Sequence, residues 1–190
     1  MYMWRERSKE EKHEDVVNTG LLPLDVVEGF KIRPGFFRMY GACVASNGGN
    51  IMEYRKFDNI IIARIDKGEE ILEQLKAIAI TENIKLASIN ALGAINDFTV
   101  GVYKTDEKKY YSNSFKGYYE ITSLTGTINT MDGEYYAHLH LSAGDEKGEV
   151  FGGHLNRAVV SATCELVITV IDGKVDRVYD EETGLNVFNF

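Results

Sequence analysis

Tyr118-Tyr119-Glu120-Ile121-Thr122-Ser123-Leu124-Thr125-Gly126-Thr127-Ile128-Asn129-Thr130-Met131-Asp132-Gly133-Glu134-Tyr135-Tyr136-Ala137-His138-Leu139-His140-Leu141 is the stretch on which the fold turns. Side chains of a strand alternate between two faces. Tyr119, Ile121, Ser123 and Thr125 therefore share one side of a long strand, and Tyr118, Glu120, Thr122 and Leu124 the other. Asp132-Gly133 tolerates the positive φ that tight hairpins need, so the chain is expected to turn there. Tyr135 to Leu141 then reads as the return strand. On it His138 and His140 face one way while Leu139 and Leu141 face the other.

The next residues are rich in glycine and end at His154, so three of the four histidines fall in one short stretch. A return of the chain at Gly144–Gly153 can bring His154 beside the first two. Three imidazoles converging on one point form a first shell for a divalent metal, zinc above all, with one coordination position left open. The competing reading is three ordinary histidines satisfied by hydrogen bonds. Gly148, Gly152 and Gly153 suit a tight turn, a bulge or room for a bound anion. They match neither a Walker A loop nor a dinucleotide-binding glycine motif.

Working outward, Ile60 to Ile65 is β-branched and reads as a strand, followed by a turn at Asp66-Lys67-Gly68. Glu69 to Thr81 reads as a helix, because Ile71, Leu72, Leu75, Ile78 and Ala79 recur at helical spacing. Leu86 to Ile95 and Phe98 to Lys104 read as two further strands. Val159 to Ile171 reads as a central strand that turns at Asp172-Gly173 and pairs back through Val175 to Tyr179. Several antiparallel strands with one clear helix give an α+β class as the expectation. Residues 1–51 pattern poorly: a helix at Glu6–Val17, then loop, in an arm that either packs on a neighbouring subunit or is not native to the protein. The domain proper is expected at 52–190.

Formal net charge is −8, and the lysines, arginines and acids of residues 1–52 cancel, so the remainder carries all of it. An acidic domain without a basic run argues against DNA binding by this chain alone. No apolar run approaches the roughly 20 residues needed to span a bilayer. The first fifteen residues lack a secretory apolar core, so a cytoplasmic protein is expected. Cys43 and Cys164 form no metal or disulfide pattern, and Cys164 is expected as a buried thiol. Glu120 and Arg157 are candidates for a catalytic or substrate-binding role, the first as an acid or base, the second as a bidentate anion contact. Solvent exposure or a salt bridge is the plainer reading of both, and of Glu165. No nucleophile elbow surrounds Ser142. The tyrosine doublets 110–111, 118–119 and 135–136 suit a subunit interface.

Taken together and in order, Ala91-Leu92-Gly93-Ala94, Gly117-Tyr118-Tyr119-Glu120-Ile121, Ser123-Leu124-Thr125-Gly126, His138-Leu139-His140, Gly152-Gly153-His154-Leu155 and Arg177…Asp180…Thr183-Gly184 resemble the PPC (plants and prokaryotes conserved) domain family. The resemblance covers residues 53–190. It implies a compact α+β fold with a strongly curved, mostly antiparallel sheet packed with one main helix, and a homotrimer. It implies a metal, zinc foremost, on His138, His140 and His154. The fold is also similar to that of acetolactate decarboxylase, an analogy that transfers no activity. Plant members carry an AT-hook for DNA, and this sequence has none. Two functions follow as expectations: a trimeric metal-binding protein that binds or acts on an unidentified small molecule, or a non-catalytic DNA-binding or regulatory protein-interaction module. Whether it is an enzyme is left open.

The arm yields one test. Gly48-Gly49 can be encoded by a purine-rich stretch resembling a bacterial ribosome-binding site, two codons ahead of Met52. On that hypothesis residues 1–51 are upstream DNA read in frame. N-terminal sequencing of the protein from its native gene then finds Met52 first, and a product starting at Met1 rejects the idea.

Overall fold

The structure is a computed structural model; it describes the backbone of residues 42–47 and 50–190 and the side chains of residues 53–190. The expected helix at Glu6–Val17 and the side chain of Cys43 lie outside the described residues.

The strands are β1 (Ala42–Asn47), β2 (Asn50–Phe57), β3 (Ile60–Asp66), β4 (Ala87–Lys104), β5 (Lys109–Met131), β6 (Glu134–Gly144), β7 (Val150–Val170), β8 (Asp176–Asp180) and β9 (Leu185–Asn189). All nine belong to one sheet. The one α-helix among the described residues, α1 (Ile71–Thr81), has eleven residues. The α+β expectation is therefore corrected: this is a mostly-sheet fold carrying one short helix. The reason lies in strand length. β4, β5 and β7 run for 18, 23 and 21 residues, well past the usual five or six. Segments that read as separate short strands are continuous strands that bend.

β4 shows how. Leu86 to Ile95 and Phe98 to Lys104 merge into one strand, with register shifts between Ala91 and Gly93 and between Ile95 and Asp97. Bulges of this kind bend a strand without ending it. At the first, Gly93 has φ +147°, and a Cβ there would stand 2.7 Å from the Cα of Cys164 on β7. Only glycine lets the two backbones approach this closely. The bending completes a cycle of pairings: β7 with β4, β4 with β5, β5 with β6, and β6 with β7.

Two further expectations are corrected. Residues 42–47 read as loop, yet they form β1, paired with β2 from Asn47↔Asn50 to Ala42↔Arg55. The final strand does not fold back on β7 at Asp172-Gly173. β8 instead joins β5 in parallel, Thr130↔Asp176 and Met131↔Arg177, and pairs antiparallel with β9. The turn residues are present, but the edge of β7 that such a hairpin would use is already taken by β3 and β4.

The core gathers the inward faces of these strands with one face of α1. Ile71, Leu75, Ile78 and Ala79 of the helix are buried with Ile61, Ile65, Ile89, Phe98, Leu139 and Leu166. Cys164 is buried, as expected, and burial pushes its thiol up to about 12, so it is an inert core residue. Glu70 fastens the helix. Its carboxylate accepts from the Glu73 N–H (2.8 Å) as N-cap and from the Ala158 N–H of β7 (2.8 Å).

Burial raises the Glu70 pKa, and the two N–H bonds offset only part of that rise. The native state thus holds this proton to higher pH than the unfolded chain does. The associated stability is full below the usual glutamate range and is lost as pH rises through the raised value. We expect Glu70→Ala to lower unfolding free energy by about 2–3 kcal/mol in urea titrations at neutral pH, since it removes a cap and strands the Ala158 N–H. Glu70→Gln keeps one acceptor oxygen, costs less, and loses this component of the pH dependence. A loss below about 0.5 kcal/mol for the alanine variant would show that the helix is not anchored here.

Candidate metal centre

Strand alternation places the histidines as expected. On β6, Leu139 and Leu141 are buried in the core while His138 and His140 project from the other face. Thr127 and Thr125 of β5 stand opposite them. β7 then returns so that His154 is the direct cross-strand partner of His140. Gly126 makes the tight pairing behind the site feasible. A Cβ on it would stand 2.7 Å from the Cα of Leu139 and would collide with the His138 carbonyl.

The three imidazole rings lie 5.0–5.7 Å apart, centre to centre. One nitrogen from each falls within 4.8 Å of the other two. Burial, with His154 and Arg177 nearby, holds the His138 pKa down to about 4. Burial, with His140 and Arg177, lowers that of His154 as well. At neutral pH both rings are uncharged and offer a lone pair. A set of three convergent nitrogen donors, with one side open to a cleft, fits the chemistry of a divalent transition metal.

The cleft has a volume of about 1120 Å³ and includes Tyr103, Tyr110, Tyr136, Arg177, Asn186 and Phe188 beside the histidines. Tyr110 donates to Asn156 Oδ1 (2.6 Å), and its ring meets that of His154 edge-on. Arg177 is 8% exposed. Its guanidinium lies over the rings of Tyr136 (4.8 Å) and Phe188 (4.5 Å). It donates from Nη1 to the Asn186 carbonyl (2.6 Å) and from Nε to the side-chain oxygen of Asn129 (2.7 Å). Nη2 lies 3.3 Å from His138 Nδ1.

The other candidates stand elsewhere. Glu120 is exposed and pairs across from Gly144, four residues along β6 from His140. Arg157 forms an ion pair with Asp97 at 2.9 Å. Glu165 is exposed on β7, opposite Arg64. None of the three lines the cleft. Arg177 was legible only as part of a family motif. Its chemistry depends on where β8 pairs, and nothing local to Val175–Tyr179 announces that.

Residues 52–172 match the family model of the Plants and Prokaryotes Conserved (PCC) domain. No curated protein matches the chain. Among solved structures, it is similar to a "putative DNA binding protein" from Bacteroides thetaiotaomicron at 32% identity, covering 74% of this chain and 99% of that one, with TM-score 0.72. A metal-containing protein from Archaeoglobus fulgidus is 27% identical, with 81% and 100% covered and TM-score 0.65. A plant- and prokaryote-conserved (PPC) protein from Pyrococcus horikoshii is 29% identical, with 77% and 98% covered and TM-score 0.64. The strand pattern, the histidine cluster and the match over residues 52–172 together make this chain a member of the Plants and Prokaryotes Conserved domain family.

Proposed function

We propose that this protein is a homotrimeric metal protein that holds zinc on His138, His140 and His154 and binds or acts on a small molecule in the adjoining cleft. The observation that carries the reading is the convergence of three nitrogen donors at the wall of a cleft of about 1120 Å³. The name of the Archaeoglobus fulgidus relative supports it. A divalent metal bound there supplies Lewis acidity, polarising a carbonyl or activating water. The chain's own residues do the rest. Leu139 and Leu141 lock β6 into the core and fix the direction of His138 and His140. Tyr110 packs against His154 and steadies its ring. Tyr136 and Phe188 hold the Arg177 guanidinium beside the cluster.

The trimer rests on an outward face of the sheet. Ile62 of β3 pairs with Val167 of β7, and Leu92 of β4, 58% exposed, stands opposite Glu165. Exposed apolar side chains interleaved with Arg64 and Glu165 on a solvent-facing sheet suit a subunit contact. DNA binding is the second reading, favoured by the name of the Bacteroides thetaiotaomicron relative. The charge of −8 opposes it, because nucleic-acid affinity is dominated by phosphate neutralisation. No helix among the described residues is long and apolar enough to cross a membrane.

Two measurements test the reading. Elemental analysis of the purified protein should find about one zinc per chain, and the His138→Ala, His140→Ala double variant should lose it. Protein that is metal-free and takes up none on titration at neutral pH would defeat the metal assignment. Native mass spectrometry should give three times the chain mass, and Leu92→Arg with Ile62→Glu should yield monomers. A monomeric wild type would remove the trimer.

A further inference from the structure

The cleft is acidic nowhere. Among the described residues its lining includes Arg177 and three histidines but no aspartate or glutamate. Arg177 is 8% exposed, so its charge has been taken almost wholly out of water. Such a charge is ordinarily paired with a carboxylate. Here its partners are a backbone carbonyl, an amide oxygen and an imidazole nitrogen, none of them charged. The two rings that sandwich it are attractive but equally uncharged. Among the described residues none supplies the balancing anion.

We propose that Arg177 anchors the carboxylate of a small organic acid in this cleft, with the rest of the acid lying toward the histidine cluster. The site deepens the function proposed above and rests on it in one respect, the contact between Arg177 and His138. A neutral imidazole has one lone pair and one N–H. The N–H of Arg177 Nη2 uses the lone pair on His138 Nδ1. If Nδ1 takes the metal, the arginine is displaced from it. If Nε2 takes the metal, Nδ1 must carry the proton and can no longer accept. Either way, coordination by His138 frees Nη2. Nε and Nη1 stay tied to Asn129 and Asn186, which keep the guanidinium in place. The freed donor, beside the cluster, is then available to a carboxylate oxygen in a charge-assisted hydrogen bond. A cleft of about 1120 Å³ with tyrosine, valine and phenylalanine in its walls suits a molecule with an apolar body and one anionic end.

The test is an NMR titration of the zinc-loaded full chain with butyrate, with its neutral isostere butyramide, and with inorganic phosphate. Zinc content and near-ultraviolet circular dichroism are recorded on every sample. Butyrate should bind about tenfold or more tightly than butyramide, since only the acid brings the missing charge. Arg177→Met, long and apolar enough to stay between the two rings, should lose about tenfold or more of the butyrate affinity, and Arg177→Lys should fall between. Equal affinity for butyrate and butyramide in the wild type would overturn the proposal without any variant, even if arginine replacement prevents folding. Undiminished butyrate binding by folded, zinc-containing Arg177→Met would also overturn it. Binding of phosphate to the exclusion of butyrate would overturn the carboxylate assignment. Protein that takes up no zinc yet prefers butyrate through Arg177 would sink the metal reading and the freeing of Nη2 by the metal, and would place the carboxylate on the second N–H of that nitrogen.

Discussion

The pairing of β6 with β7 is the constraint on which the site depends. His140 stands opposite His154 only in the observed register. A slip of one residue in a strand sends every side chain to the opposite face. Here a slip would drive His138 and His140 into the core and expose Leu139, Leu141 and Ala143, all now buried. Each buried leucine favours the native register by about 1.5–3 kcal/mol. The core therefore sets the geometry of the cluster. Gly126 belongs to the same constraint from the other side, because β5 must lie close behind Leu139 for β6 to be held.

What could be seen in the sequence was what local pattern encodes. Alternation around Leu139 and Leu141 put two histidines on one face, and the glycine-rich return brought the third beside them. The 3.6-residue spacing of Ile71, Leu75, Ile78 and Ala79 marked the buried face of the helix. The sequence suggests α+β where the structure is mostly sheet, because a bulge is not a break. Leu92 and Asn96 interrupt the register of β4 but not its course, so one strand of 18 residues reads as two. A clear helix beside several short strands suggests α+β; the same helix beside strands of around twenty residues is a minor element.

Long-range pairing was illegible for a different reason. Asp172-Gly173 is good turn chemistry, yet the strand that follows goes to β5. Turn residues determine whether a hairpin can form, and the vacancy of a neighbouring edge determines whether it does. β7 is flanked by β3 and β4 along that stretch, so β8 finds the end of β5 instead. This choice delivers Arg177 to His138. Glu120 and Arg157, more chemical in the sequence, do not line the cleft.

Charge separates the two kinds of ligand. A nucleic acid is a long polyanion and meets the surface, where the chain carries −8. A small acid meets the inside of the cleft, where the nearest fixed charge is a guanidinium and no carboxylate lines the wall. Interactions between exposed charges are screened over about 8 Å at physiological ionic strength, while those within a cleft are screened much less. Acidic residues on the outer surface therefore repel the polymer without much altering the potential felt at Arg177. On the proposed reading, one protein would reject nucleic acid and hold a small anion, because the two ligands sample different parts of its field.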